Sequence, residues 1–342
     1  GTAGAVRAFI EGKLYSEPQP TKMYYLTPVF RYERPQAGRY RQHHQFGVEV
    51  FGAYEASVDA EIISLAMALF NKIGIRNLEL NINSIGCPQC RGEYHKVLVE
   101  FLSKRKDRLC KTCNERLLKN PLRVLDCKIP ECKEAMKDAP LILDYLCEDC
   151  RSHFHSLQRY LDLLGIPYKI NPMIVRGLDY YTKTVFEIIS TNIGSQGTIC
   201  GGGRYDGLVE QIGGPSMAGI GFGMGLERVL LEMESQNIAI PKLPDYDAFV
   251  ITIGEEAKEK AFSLVYRMRL SGISADLDHI ARSVKAQFKY SNKTNAPFVC
   301  ILGEDELKNG TVKVKDMKTG SEESILMDQL ISYLNEKLGM EE

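Results

Sequence analysis

The apolar positions along the chain change period several times, and each change marks an element. Ala3–Leu14 carries apolar residues at helical spacing and predicts a short helix. Met23–Tyr32 and Gln45–Phe51 alternate apolar and polar positions and predict two antiparallel strands, joined by the Pro- and Gly-containing stretch Glu33–Arg41. Val58–Ile73 returns to helical spacing, and Leu78–Ile82 reads as a strand. Composition then shifts: Cys87 to about His155 is helical, Lys-rich and Cys-rich, and has the character of an insertion. Strand signals resume at Tyr168 and Thr184–Ile189, Gly201-Gly202-Gly203 marks a tight backbone passage, and Gly219–Gly225 reads as a strand entering the helix Leu226–Glu234. Ile238–Pro244, with two prolines, predicts a linker, after which strands and helices alternate from Ala248 to Leu338. The predicted organisation is a core domain in two parts, 1–83 and 156–238, interrupted by an insertion over 84–155 and followed by a small α/β domain over 245–342.

The face pattern of Gln45–Phe51 is the first chemical signal. Phe46, Val48 and Val50 share one face, a core face by composition. The other carries Gln45, Gly47, Glu49 and Phe51, where Gly47 leaves room for something to approach the sheet. Such a face can simply be solvated. The loop before it argues otherwise: Arg31, Arg34, Arg39 and Arg41 fall within eleven residues that also hold a proline and a glycine, an arm suited to gripping phosphate.

Charge and composition narrow the picture. The net charge is −1, so any nucleic-acid contact must use local basic patches. There is no run of 18 apolar residues and no secretory signal, so no membrane association and a cytoplasmic protein are expected. Eight of ten cysteines lie between Cys87 and Cys150, as Cys87/Cys90, Cys110/Cys113, Cys127/Cys132 and Cys147/Cys150. Three of the pairs are C-x2-C, a spacing that suits zinc knuckles; partly buried free thiols are the alternative. The last pair sits in an amphipathic stretch, LILDYLCEDCRSHF, predicted as one helix.

Three segments carry a family resemblance. FRYERPQAGRYRQHHQFGVEVFG (30–52) resembles the second signature motif of class II aminoacyl-tRNA synthetases in its histidyl form, RGLDYYTKTVFE (176–187) resembles the histidine-specific motif of the histidyl-tRNA synthetases, and GIGFGMGLERVLL (219–231) resembles the third class II motif. CGGGRYDGLV (200–209) is similar to the family's pocket floor. The resemblance implies an α+β fold: an antiparallel-sheet catalytic domain, a helical Cys-rich insertion and a C-terminal α/β anticodon-binding domain. It implies Arg31 and Arg176 at the reacting centre and Thr2, Arg31, Gln45, Glu49, Arg176, Tyr180 and Tyr181 around histidine. Around ATP it implies Arg31, Glu33, Arg39, His43 and Arg228. ATP, Mg2+, L-histidine, tRNA-His and a homodimer partner follow from the same resemblance; zinc on the eight cysteines does not.

The implied activity is ATP-dependent formation of histidyl-adenylate and transfer to tRNA. A neutral imidazole offers one donor and one acceptor, which a carboxylate and a phenol read together. Two other classes compete: a silent regulatory subunit of ATP phosphoribosyltransferase, and a tRNA-binding module. The intact arginine set argues against both. Lys104–Arg108 and ARSVKAQFKYSNKTN (281–295), with Phe288 and Tyr290, are candidate RNA contacts, against the reading of solvated helix faces with core aromatics. The chain starts at Gly1 without the family's first motif, so a fragment with a weakened dimer is expected.

Overall fold

The computed structural model describes residues 1–32, 35, 40–175, 179–190, 197–240 and 243–340. The described chain forms two compact units, Gly1–Ala239 and Ile240–Glu342.

The first unit contains, in chain order, α1 (Thr2–Glu11), β1 (Thr21–Phe30), β2 (Gln42–Phe51), α2 (Ala56–Lys72), β3 (Leu78–Ser84), α3 (Pro88–Ser103), α4 (Lys111–Lys119), α5 (Pro130–Ala135), α6 (Glu148–Leu163), β4 (Lys169–Ile170), β5 (Thr182–Ser190), β6 (Thr198–Arg204), α7 (Leu208–Gln211), β7 (Gly219–Gly225) and α8 (Leu226–Ser235). Its seven-stranded sheet has the order β1-β2-β7-β6-β5-β3-β4, antiparallel except for β3–β4.

Around β2 both faces of this sheet are packed. Val48 and Val50 of β2 pack with Ile62, Ile63, Ala66 and Phe70 of α2 and with Phe154 and Leu157 of α6, as the alternation on β2 predicts. The opposite face is not solvated: Phe51 joins Val6 and Phe9 of α1 and Tyr205 in a second cluster, and the Phe9 and Phe51 rings stack at 4.4 Å. Between the layers lies a buried ionic knot. Arg204 and Asp59 are fully buried, Arg204 Nε donates to Asp59 Oδ1 at 3.1 Å, and His153 Nε2 meets Asp59 Oδ2 at 2.8 Å. Burial alone would raise the Asp59 carboxyl, but the His153 hydrogen bond and the Arg204 charge hold it below the ordinary aspartate value.

One local expectation holds and two shift. The tight passage at 201–203 lies within strand β6, where Gly202 packs so closely on β7 that a Cβ there would stand 2.1 Å from Gly221 O. Strand signal at Tyr168 resolves into the two-residue β4. The stretch LILDYLCEDCRSHF is not one helix: a 3-10 turn over Ile142–Tyr145 gives way to extended backbone at Leu146 and Cys147, and α6 starts at Glu148.

The second unit contains β8 (Ala248–Thr252), α9 (Glu255–Leu270), β9 (Ala275–Leu277), α10 (Val284–Lys293), β10 (Phe298–Leu302), α11 (Glu304–Asn309), β11 (Thr311–Asp316), β12 (Glu322–Leu326) and α12 (Leu330–Leu338). Its sheet order is β12-β11-β10-β8-β9, parallel through β10-β8-β9 and antiparallel at β11 and β12. On α10, Phe288 and Tyr290 pack against Phe249, Ile251 and Val299, so these aromatics belong to the core, and Lys285, Lys289 and Lys293 are exposed. Among the described residues no helix is long and apolar enough to cross a membrane.

Candidate active site

The pairing register places the site. β1 and β2 run antiparallel with Tyr25 opposite Gly47, and β2 and β7 pair with Glu49 opposite Gly221 and Gln45 opposite Gly225. Every second residue of β7 is glycine, and these glycines form one face while Ile220, Phe222 and Met224 fill the core on the other. Three of the four glycines make room for a site side chain. A Cβ at Gly219 would stand 2.3 Å from the Tyr205 ring, at Gly221 1.9 Å from Glu49 Oε2, and at Gly223 2.2 Å from Gln45 Nε2. Gly47 plays the same part on β2: the space above it is filled by the Tyr25 ring, whose Cζ would lie 2.1 Å from an added Cβ.

A hydrogen-bonded relay rests on this floor. Gln45 Nε2 donates to Tyr25 OH at 2.9 Å, and Tyr25 OH donates to Glu49 Oε1 at 3.2 Å. Tyr205 OH donates to Glu49 Oε2. Glu49 is 1% exposed. Burial raises its carboxyl to about 7, against the hydrogen bonds it accepts, which pull the other way. Burial, reinforced by the Glu49 charge, also holds the phenols of Tyr25 and Tyr205 above their ordinary range, so both remain neutral donors. Tyr180 and Tyr181 close one wall, with ring centroids 4.5 Å apart, and Tyr180 meets Tyr205 edge-on at 5.8 Å.

Gln45, Tyr180, Tyr181 and Tyr205 line a cleft of about 410 Å³, large enough for a small polar ligand, whereas Glu49 is buried and reaches its wall through the Tyr205 hydroxyl. The cleft brings together Thr2, Arg31, His43, Gln45, Tyr180, Tyr181 and Arg228 of the residues implicated by the sequence. Glu33, Arg39 and Arg176 lie outside the described residues. Arg31 Nε donates to Tyr40 O at 2.5 Å, and an Arg228 guanidinium nitrogen donates to Thr198 O. Burial, with positive charge from Arg31 and Arg228, lowers the His43 imidazolium; its Nδ1 is buried without a hydrogen-bond partner among the described residues. Glu227 accepts from His44 N at 2.8 Å, while its other carboxylate oxygen is buried and unpartnered among the described residues.

Sequence reasoning missed Tyr25, Tyr205 and Glu227. The signal for Tyr25 was its place opposite Gly47 once the two strands are set in register. Tyr205 lies within CGGGRYDGLV and Glu227 beside Arg228 in GIGFGMGLERVLL, so the segments were noticed but neither residue was singled out within them.

The eight cysteines of the insertion form two groups, Cys87/Cys90/Cys147/Cys150 and Cys110/Cys113/Cys127/Cys132. None is in a disulfide. The arrangement is nested: the outer group joins the two ends of the segment 87–150 and the inner group closes a loop within it.

An antiparallel sheet bearing an arginine-edged cleft, followed by a small α/β unit, is the arrangement that the resemblance to the class II aminoacyl-tRNA synthetases implies. The comparisons agree in detail. A family model described as histidyl-tRNA synthetase matches residues 2–229, and one described as anticodon binding domain matches residues 247–337. The chain is 59% identical to the histidine–tRNA ligase of Caldanaerobacter subterraneus subsp. tengcongensis, over 96% of this chain and 79% of the relative. It is 57% identical to that of Clostridioides difficile, over 99% and 81%. The crystal structure of apo S. aureus histidyl-tRNA synthetase aligns with a TM-score of 0.78 at 40% identity, over 98% of this chain and 82% of that one. The chain belongs to the histidyl-tRNA synthetase family.

Proposed function

We propose that this protein activates L-histidine with ATP and transfers the histidyl group to the 3′ end of tRNA-His. One observation carries the reading: a buried carboxyl, Glu49, held between two phenol donors, one of which, Tyr205, lines a cleft that also bears Arg31 and Arg228. Ionised, Glu49 accepts the N–H of the substrate imidazole. A phenol hydroxyl from the Tyr180–Tyr181 wall donates to the second ring nitrogen. A site that leaves such buried groups unpaired when an analogue binds rejects it by up to roughly 10⁴–10⁵. Gln45 and Thr2 receive the substrate amino group.

The first step joins a histidine carboxylate oxygen to the α-phosphorus of ATP, and the bond to the bridging oxygen breaks to release pyrophosphate. The carboxylate is already a nucleophile, so no general base is required. What the protein supplies is alignment, which can contribute roughly 7–11 kcal/mol, and positive charge. By the family resemblance, Arg31 and Arg176 are assigned to the reacting carboxylate and α-phosphate, Arg228 to the γ-phosphate, and Glu33 and Arg39 to the nucleotide. His43, kept neutral by its surroundings, stacks on adenine. Mg2+ neutralises phosphate charge when bound, and the unpartnered Glu227 oxygen is a hard ligand of the kind it takes. In the second step a terminal ribose hydroxyl of tRNA attacks the activated carbonyl and AMP leaves.

The exposed lysines of α10 are proposed to meet tRNA phosphates. A second copy of the chain is proposed to cover the outer face of β1, where Tyr24, Leu26 and Phe30 are exposed. The thiol-rich insertion suits the reducing cytoplasm. Identity of 57–59% to named ligases supports this reading over a silent regulatory subunit. Histidine should raise the melting temperature of the protein, and Glu49→Ala should remove that shift while keeping the circular dichroism spectrum. A Glu49→Ala protein with unchanged histidine affinity would overturn the pocket assignment.

A further inference from the structure

We propose that the insertion carries two closed tetrathiolate zinc sites, and that the outer one fixes the wall of the histidine pocket. Within each four-cysteine group the sulfur atoms all lie within 4.8 Å of one another. A zinc ion bonded to four sulfurs at about 2.3 Å sets S···S edges of about 3.8 Å. Cys87 Sγ lies 3.6 Å from Cys90 Sγ and 3.9 Å from Cys147 Sγ. A disulfide would join only two sulfurs, at about 2.05 Å.

The surroundings suit thiolates bound to a cation. Backbone N–H groups point at sulfur: Cys147 N donates to Cys90 Sγ at 3.1 Å, Cys110 N to Cys132 Sγ at 3.1 Å, and Cys113 N to Cys110 Sγ at 3.4 Å. Cys87, Cys110 and Cys147 are the N-cap residues of α3, α4 and α6, so the positive ends of three helices face the sulfurs. Four soft ligands with no open position make a structural site rather than a catalytic one. The insertion has its own small apolar cluster, in which the buried cysteines are embedded. A core of that size gains most from a metal staple.

The outer group is wired to the pocket. Arg91, one residue past Cys90, donates from Nη1 to Tyr181 O at 3.0 Å. Asp149, between Cys147 and Cys150, pairs with Lys183 at 2.8 Å. The backbone just before Cys87 is laced to Lys183, through Lys183 N to Gly86 O at 2.9 Å and Ile85 N to Lys183 O at 2.8 Å. A zinc ion on the outer group therefore holds the segment Tyr181–Lys183 from below. This half of the proposal rests on the histidine-activation reading; the metal half does not.

Elemental analysis of the full-length protein, purified without chelator and reconstituted with zinc, should give two zinc ions per chain. Cys87→Ser/Cys147→Ser and Cys110→Ser/Cys132→Ser should each retain one. Cobalt should give the absorption of a tetrahedral tetrathiolate. Loss of the outer zinc should raise the histidine KM in pyrophosphate exchange by about tenfold or more, and loss of the inner one by less. Should a variant fail to fold, stepwise chelation of the wild-type protein, with released zinc followed colorimetrically, reads the same two quantities. Failure to bind zinc, or a zinc count unchanged by both double substitutions, overturns the sites. An unchanged histidine KM after loss of the outer zinc overturns the coupling alone. Absence of exchange in the zinc-loaded protein counts against the activation reading and leaves the metal count to decide the sites.

Discussion

Replacing Glu49 by glutamine removes a charge that the fold does not accommodate easily. The carboxyl is raised from 4.5 to about 7 by burial, and a shift of that size corresponds to about 3 kcal/mol at 1.36 kcal/mol per unit. The sign follows from proton binding. Between pH 4.5 and 7 the folded protein keeps the Glu49 proton and the unfolded chain does not, so wild-type stability falls as pH rises through that window. Glutamine has no such proton. The stability difference between Glu49→Gln and wild type should therefore move in favour of glutamine by about 3 kcal/mol from pH 4.5 to pH 8, all other groups being common to both proteins. Urea unfolding at several pH values measures it, using the transition that histidine shifts, because two units need not unfold together. The same substitution should raise the histidine KM roughly tenfold, since a hydrogen bond to a charged acceptor is replaced by a neutral one. A stability difference that is flat with pH would refute the reasoning, because it would mean that Glu49 is ionised at no cost in the free protein.

Three further outcomes follow from the packing. Gly221→Ala places a Cβ 1.9 Å from Glu49 Oε2 and 2.3 Å from Val48 O; the second clash is with backbone of a paired strand, so about 1–3 kcal/mol of stability should be lost, with the histidine-induced melting shift lost before the ATP-induced one. Asp59→Asn leaves the buried Arg204 with Asp206 as its remaining carboxylate partner among the described residues, and should cost about 3–5 kcal/mol in thermal or urea unfolding. The triple change Lys285→Glu/Lys289→Glu/Lys293→Glu should weaken tRNA charging and flatten its salt dependence, with histidine-dependent pyrophosphate exchange unchanged.

Much of the site was legible because strand periodicity is a rigid rule. Alternation on Gln45–Phe51 separates Val48 and Val50 from Gln45 and Glu49, and the structure keeps that division. The glycine strand was legible only in part. Its period of two, with Gly219, Gly221 and Gly223 under Tyr205, Glu49 and Gln45, has meaning only once β7 is known to lie beside β2. Tyr25 and Tyr205 were hidden for the same reason, since a lone tyrosine becomes a donor to Glu49 through pairings distant in sequence. The cysteine groups show the limit of spacing. Cys87/Cys90 and Cys147/Cys150 are partners across most of the insertion, with another complete group between them, and local spacing cannot tell nested from sequential pairing. On α10, Phe288 and Tyr290 suggested base stacking by composition, yet packing against Phe249 and Val299 turns them inward.

The central claim is that the cleft built on Glu49, Gln45 and the Arg31–Arg228 rim activates histidine. Exchange of labelled pyrophosphate into ATP by the full-length protein tests it without tRNA. The account predicts exchange that depends on L-histidine and Mg2+, is absent with phenylalanine or glutamine in place of histidine, and is lost on Glu49→Ala. Exchange supported equally by other amino acids, or none with histidine present, would contradict it.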